Sequence, residues 1–344
     1  MDIRLFRDGD RDGVISLLRT VFDGWHADSL SHWTWLYERN PAGASSIAVA
    51  VEDGDIVASY SACPVLMQWG GQPTLVGLGV DLATHPAFRR RGLFERVAEA
   101  AIADAERRGF GFILSYTQSG GASAIGQIRK LGFTRAFTLK RLVKVLDWPR
   151  ALAFKLRLPH RPPATTALSD TLHAIVSAAA ATGISMEKAP TIDRPSIMPV
   201  TRAIRVEKSE RRVRWRYSNH PEAQYRIFAV ASVSRRPAYV VLALRAEKSI
   251  VVGQIVDLFG EEENWDDLLS GLERAASTSG VTMLEALVSE GHPAATTLGS
   301  RGYRDRPADV AGIIRPTRHA SPEAVRLAST PESWHVMLGD DASL

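Results

Sequence analysis

Cysteine is almost missing. Cys63 is the only one in 344 residues, which excludes an internal disulfide and leaves no thiolate set for a metal, so none is expected. Long apolar runs are missing too. No stretch reaches the length of a membrane span and no signal peptide opens the chain, so the expected compartment is the cytoplasm. Charge of one sign is scarce: 42 Lys+Arg stand against 38 Asp+Glu, a net +4. No continuous basic face interleaved with aromatics is visible, so nucleic acid is not an expected partner. The Walker loop and the Gly-x-Gly-x-x-Gly turn are both absent. What is present suits a globular chain with sizeable cores: 45% hydrophobic and 23% charged residues, over a length comfortable for two domains.

The most informative stretch runs from Thr74 to Phe133. Thr74–Ala83 reads as an apolar strand, and Thr84-His85-Pro86-Ala87-Phe88-Arg89-Arg90-Arg91-Gly92 as a turn. A helix over 93–108 follows, with Val97, Ala98, Ala101, Ile102 and Ala105 at helical spacing. Phe110–Tyr116 reads as a buried strand, and Ser123–Phe133 as a helix closing on Leu131-Gly132-Phe133. A helix start presents backbone N–H groups without partners. Gly92 lets an anion approach that backbone, and Arg89, Arg90 and Arg91 add positive charge. The turn is therefore a candidate phosphate or pyrophosphate site.

Upstream, Met1–Phe6 reads as a strand and Gly13–Phe22 as a helix. Ser46–Glu52, Asp55–Pro64 and Val65–Trp69 read as strands, the first two joined by an Asp53-Gly54 turn. Leu139–Trp148 is the expected last strand of a first domain. The basic, proline-containing segment to Pro163 is an interdomain connection whose Ala151–Leu158 part is a short helix, covering the sheet or touching a membrane surface. A helix over Asp170–Ala181 and an irregular Pro190–Pro199 follow.

A pattern then recurs. Trp35-x-Tyr37-x-x-x-Pro41 returns as Trp215-x-Tyr217-x-x-x-Pro221, Val80-Asp81-Leu82 as Val256-Asp257-Leu258, and Gly132-Phe133 as Gly302-Tyr303. Strand pairs follow each Trp-x-Tyr. Matches in one order argue for an internal duplication. The copies differ at the turn, where the second has Phe259-Gly260-Glu261-Glu262-Glu263-Asn264; three carboxylates would repel a pyrophosphate. A short helix and a mobile acidic tail are expected over 317–344.

The 74–133 stretch resembles the GNAT superfamily of acyl-CoA N-acyltransferases, whose pattern is strand, Arg/Gln-x-x-Gly-x-Gly/Ala, helix, strand, helix and Gly-Phe. Arg89 to Phe94 fills the turn, with Phe94 where the family mostly has Gly or Ala. The resemblance implies an α/β fold of two GNAT-like domains, each a mixed, mostly antiparallel sheet flanked by helices, with a splayed central strand pair in the first. The expected boundaries are 1–148 for the acyl-CoA-binding domain, 149–166 for a linker, 167–316 for a degenerate copy and 317–344 for the tail. It implies an acetyl-CoA- or acyl-CoA-dependent N-acyltransferase working by direct attack of a primary amine in a ternary complex, with no metal. Coenzyme contacts fall on Leu82, Ala83, Thr84, Arg89, Arg90, Arg91, Gly92, Leu93 and Phe94.

The family often places a Tyr acid four residues before the closing Gly; here that position is Ile128. Tyr116 is the substitute candidate, and Asp81 and His85 are base candidates at the end of the first strand. His26 and His32 lie in the acceptor-side segment, where either could be a surface residue. Two other readings stay open: a non-catalytic acyl-CoA sensor or scaffold, and a tandem-GNAT aminoacyl transferase using charged tRNA. The amine acceptor, acyl length and oligomeric state are not encoded in a readable motif.

Overall fold

The computed structural model describes residues 1–23, 25–26, 28–158, 165–187, 202–230 and 238–341. The N-terminal half contains β1 (Asp2–Leu5), α1 (Arg11–Val21) and α2 (Ser29–Trp33), the last running into a wide π-helical turn over Thr34–Glu38. The meander β2 (Ser46–Glu52), β3 (Asp55–Trp69) and β4 (Gln72–Thr84) follows. Then come α3 (Leu93–Arg107), β5 (Phe112–Thr117), α4 (Ala122–Lys130) and β6 (Thr134–Val145).

The C-terminal half contains α5 (Trp148–Lys155), α6 (Thr165–Ala181), β7 (Ile184–Glu187), β8 (Ile204–Val206) and α7 (Glu210–Val213), which runs into a second π-helical turn over Arg214–Ser218. It continues with β9 (Arg226–Val230), β10 (Ala238–Glu247), β11 (Ile250–Gly260), α8 (Trp265–Thr278), β12 (Met283–Ser289), α9 (Pro293–Ser300), β13 (Arg304–Arg306), β14 (Ala311–Pro316) and α10 (Pro322–Ala328). The order of elements repeats from one π-helical turn to the other. Part of the first strand expected after Tyr217 and all of Pro190–Pro199 lie outside the described residues.

The strands form one mixed sheet with helices packed on its faces. The order is β1-β2-β3-β4-β5-β14-β6-β12-β11-β10-β9-β7, with β13 on β6 and β8 on β3. The last strands of the two halves are exchanged. β14 lies antiparallel beside β5, from Ala311 opposite Thr117 to Pro316 opposite Phe112. β6 lies antiparallel beside β12, from Leu139 opposite Ser289 to Val145 opposite Met283. The two pair with each other at the centre. The sheet is therefore continuous across the expected boundaries of 149–166 and 316, and residues 311–316 sit within the N-terminal sheet. A strand edge offers the same backbone donors to any partner, so neither strand's own residues announced this exchange.

Three further expectations are corrected. β3 runs unbroken through Pro64, which pairs with Gly77 just beyond the last β2 partner at Ala62; its missing N–H there lies past the end of β2. α5 does not cover the sheet: Trp148 is 70% exposed, and Leu152, Leu156 and Leu158 project outward as well. The C-terminal segment is not a mobile acidic tail. Trp334, Val336 and Met337 are fully buried, Asp340 and Asp341 are nearly so, and Trp334 joins the core under β3, β5 and β6 through Trp69 and Phe137.

Candidate active site

The site begins with a fault in β4. Val80 pairs with Ser61 and Ala83 with Ser59, so β4 carries one extra residue opposite Tyr60. Asp81 takes that bulge with φ 52°, a left-handed conformation unusual for a residue with a side chain. The bulge turns the strand away from its parallel neighbour. β4 and β5 pair only from Val76–Phe112 to Leu78–Leu114. Beyond Leu78 they diverge, leaving a V-shaped opening between Gly79–Thr84 and Ser115–Thr117. Leu82, Ala83 and Thr84 lie on its β4 side, with backbone that does not pair with β5.

The turn closes the end of this opening. His85 caps the short helical turn Pro86–Phe88, its Nδ1 accepting from Ala87 N at 3.3 Å. Arg89 donates from Nε to the Thr84 carbonyl at 3.4 Å, and the Arg91 guanidinium lies 4.9 Å above the Phe88 ring. Arg89, Arg90, Arg91 and Gly92 are exposed. Gly92 caps α3 with φ 71°, and nothing lies within 4 Å of where its Cβ would be. Arg90 shares the left-handed region at φ 63°. The chain thus winds backwards into α3 and leaves the N–H groups from Leu93 onward facing open space, flanked by three guanidinium groups. Leu93 itself is buried as the helix's first core anchor. Phe94 is accommodated by α4: a Cβ on Gly126 would stand 3.0 Å from Phe94 Cζ, so the small residue lost from the turn reappears across the helix pair.

The three proton-transfer candidates occupy different settings. Asp81 is held rather than free, with Trp25 Nε1 donating to Oδ1 at 3.3 Å and the Tyr37 hydroxyl donating to Oδ2. Burial pushes its carboxyl upward, against those two hydrogen bonds. His85 is engaged as a cap. Tyr116 stands at the end of β5 with its ring 5.7 Å from Phe137. Its hydroxyl is buried without a hydrogen-bond partner among the described residues, and burial, then Asp340 and Asp341, hold it well above the usual phenol range. Ile128 is 38% exposed on α4.

The second half builds a similar frame with other chemistry. Its bulge falls where Val241 pairs with Asp257 and Leu242 with Ile255, and β11 leaves β12 after Ile255–Ala286. Tyr217 donates to Asp257 as Tyr37 does to Asp81. Here Lys208 Nζ joins the network, 2.5 Å from both Asp257 and Asp340. Burial disfavours the Lys208 ammonium, but the two carboxylates outweigh it and raise its pKa. The acidic turn has no left-handed glycine at the start of α8, and Glu262 is pushed up by burial while Arg205 opposes the shift.

Glu222, His220 and Arg212, at the junction of the halves, were not singled out from sequence, and the first two meet two histidines that were. His32 is buried, not a surface residue; its ring stacks on His26 at 3.3 Å, and His26 Nδ1 meets Glu222 at 2.7 Å. Burial, then the neighbouring His26, pushes His32 down to about 3; burial, then Arg216, does the same to His220. His26, His32 and Glu222 each bring a potential ligand atom within 4.8 Å of the others. Face-to-face imidazoles, however, direct their in-plane lone pairs side by side rather than toward one point. Nearby, a cleft of about 870 Å³ opens on the pseudo-two-fold axis, lined by Trp35, Trp215, Arg39, Arg211 and Arg214. Arg212, on α7, is 6% exposed with no hydrogen-bond partner for either terminal nitrogen among the described residues. The Trp-x-Tyr and Val-Asp-Leu repeats were a usable signal for the Tyr37–Asp81 contact, because both members recur together.

Residues 2–136 match the family model described as an acetyltransferase (GNAT) domain. A mycothiol acetyltransferase of Salinispora arenicola (strain CNS-205) is 31% identical over 137 residues, 40% of this chain. The match spans about two fifths of that relative, 41% of its length. Among solved structures, a GCN5-related N-acetyltransferase from Anabaena variabilis superposes with a TM-score of 0.61 at 12% identity, covering 92% of this chain and 73% of that one. A probable N-acyltransferase from Enterococcus faecalis gives 0.61 at 11% identity with the same coverage. A GCN5-related N-acetyltransferase from Kribbella flavida gives 0.58 at 15%, covering 92% and 71%. At these identities the structural likeness establishes the fold. No helix among the described residues is long and apolar enough to cross a membrane.

Proposed function

We propose, from the match of residues 2–136 to the acetyltransferase (GNAT) domain model, that the protein transfers an acetyl or other acyl group from coenzyme A to a primary amine. The observation that carries this reading is the β4 bulge beside a left-handed glycine turn: an opening of the right polarity for a thioester next to a start of α3 suited to a pyrophosphate. The residues fit the coenzyme, because Gly92 leaves the turn open where a side chain would fill it. The backbone from Leu93, with Phe94 and the Arg89–Arg91 charges, would hold the pyrophosphate. The freed backbone of Leu82–Thr84 would orient the arm that carries the thioester. The Salinispora relative is a mycothiol acetyltransferase, which supports acetyl as the group moved.

The amine must be neutral to attack, and an alkyl ammonium has a pKa near ~10.4. The nitrogen lone pair forms the new C–N bond as the C–S bond breaks, and the pair leaves on sulfur. The nitrogen loses its proton to water or to a neighbouring group. Thiols have a pKa of about 8.5. A phenol held well above its usual range does not pass its proton outright to such a thiolate, so Tyr116 acts as a hydrogen-bond donor to the leaving sulfur. Asp81, saturated by Trp25 and Tyr37, is a positioning residue that fixes the bulge. The second half supplies the far wall of the acceptor side.

Calorimetric titration with acetyl-CoA tests the assignment, followed by thiol release with a panel of primary amines. One coenzyme site per chain and thiol release dependent on an amine are expected. Two sites would mean that the acidic turn also binds coenzyme. Binding without release to any amine would favour a sensor.

A further inference from the structure

Arg212 is a feature of the junction that the transferase frame does not explain. Its guanidinium is buried, and Nη1 and Nη2 find no acceptor among the described residues. Desolvating such a group without pairing it is expensive. The nearby carboxylates are already engaged. Asp257 accepts from Lys208 and Tyr217 on Oδ2 and from Leu258 N on Oδ1. Asp340 accepts from Lys208 on Oδ1 and from Met337 N on Oδ2. Arg216, four residues on, donates to the carbonyls of Gly339 and Asp341 and to the Tyr225 hydroxyl. The Arg212 guanidinium lies over the Trp215 ring, its Cζ 5.4 Å from the centroid, and feels the Asp340 and Asp257 charges without a hydrogen bond from either terminal nitrogen among the described residues.

Its position gives the orphan a direction. The Ser209 hydroxyl accepts from Arg212 N at 3.4 Å and caps α7, so the residue is held where the second half meets the first. Arg212 is among the charges that act on the Tyr116 phenol. The Tyr116 hydroxyl is likewise buried without a partner. Two buried donors with no acceptor among the described residues therefore stand within electrostatic reach of each other, and Tyr116 belongs to the strand that borders the V-shaped opening. A guanidinium presents a planar fork of N–H groups that matches the oxygens of a carboxylate or a phosphate.

We propose that the acceptor amine carries an anionic oxygen group, a carboxylate or a phosphate ester, and that Arg212 receives it. This rests on the acyltransferase reading and narrows it: the second half, which lacks the phosphate turn, reads the acceptor's charge. The Trp215 ring beneath the guanidinium keeps it in place while the site is empty.

Matched pairs test this: 4-aminobutyrate against butylamine, and glucosamine 6-phosphate against glucosamine. Binding to the full chain is read by calorimetry without an acyl donor, for the wild type and for Arg212→Gln. In one pair the charged member is expected to bind at least tenfold more tightly to the wild type. That pair identifies carboxylate or phosphate as the group. Arg212→Gln is expected to lose the preference, keep its acetyl-CoA affinity, and melt at or above the wild-type temperature when ligand-free. Equal binding within both pairs overturns the proposal, as does a preference that survives in Arg212→Gln. A ligand-free variant that melts well below wild type marks Arg212 as structural and overturns it too. Failure of the wild type to bind acetyl-CoA would sink the transferase reading, while the paired comparison still decides the role of Arg212.

Discussion

Trp35 and Trp215 lie face to face, their ring centroids 4.7 Å apart and 10° from parallel, and each indole N–H donates to the other's backbone carbonyl, at 2.7 and 2.8 Å. Both sit in π-helical turns, whose widened backbone leaves carbonyls available to side chains. Removing either N–H leaves a buried carbonyl unpaired, a penalty of about 1–3 kcal/mol. Trp35→Phe and Trp215→Phe should each lower the unfolding free energy read from urea titration by about that amount. Because the rings share one contact, the double variant should lose clearly less than the two single losses added together. Strict additivity would show that the stack does not join the halves.

The charges at the turn are exposed, so they can be reversed without disturbing the core. Arg90→Glu with Arg91→Glu should weaken acetyl-CoA binding by about tenfold or more, ~1.4 kcal/mol for each factor of ten. The melting temperature should stay within about a degree or two of wild type. Raising the ionic strength should weaken the wild type's binding and affect the variant less. Normal affinity in the double variant would move the coenzyme site elsewhere.

His32 and His220 give acid sensitivity. Their folded pKa of about 3 lies below the ordinary 6.5, so the native state binds fewer protons than the unfolded chain between those values. The stability they contribute is complete above about pH 6.5 and is lost as pH falls toward 3, at up to ~1.4 kcal/mol per pH unit for each ring. Asp81 works the other way, because burial raises its carboxyl and its share grows as pH falls. Urea unfolding from pH 7 to pH 4.5 should show the loss, and His32→Phe should flatten the slope. An unchanged slope would mean that the ring is solvated.

Residues 331–341 should be needed for folding. Lys208→Met would leave Asp257 and Asp340 buried as two carboxylates without a cation. Breaking a buried pair this way is expected to destabilise by ~3–5 kcal/mol. A chain ending at Thr330 also loses Trp334, Val336 and Met337 from the core and should unfold at markedly lower urea. A truncated chain as stable as the full one would restore the picture of a loose tail.

Much of the first half was legible because its chemistry is local. The apolar run before the turn, the Gly92 stop and the Gly132-Phe133 close each report on a few neighbouring residues. The recurring pattern was legible because Trp35 and Trp215 return with the residues around them. Strand exchange was not, since β14 would look the same beside either β5 or β12. The C-terminal segment was misread because its Asp residues suggested solvent, whereas Lys208, some 130 residues earlier, supplies the missing charge. Tyr116 could be placed at a strand end, but the absence of any partner for its hydroxyl is a property of packing, as is the isolation of Arg212.

The exchange of β14 has a consequence for how the protein is made. β5 is complete at Thr117, yet the strand that lies beside it begins only at Ala311. With synthesis at about 5–20 residues per second, that leaves on the order of ten to forty seconds between the two. During that interval the nascent N-terminal half presents the open edge of β5 to its surroundings. The N-terminal half therefore matures only with the end of the chain. A ribosome that stops early should release a protein whose coenzyme turn is already written but whose sheet is still a template for the wrong strand.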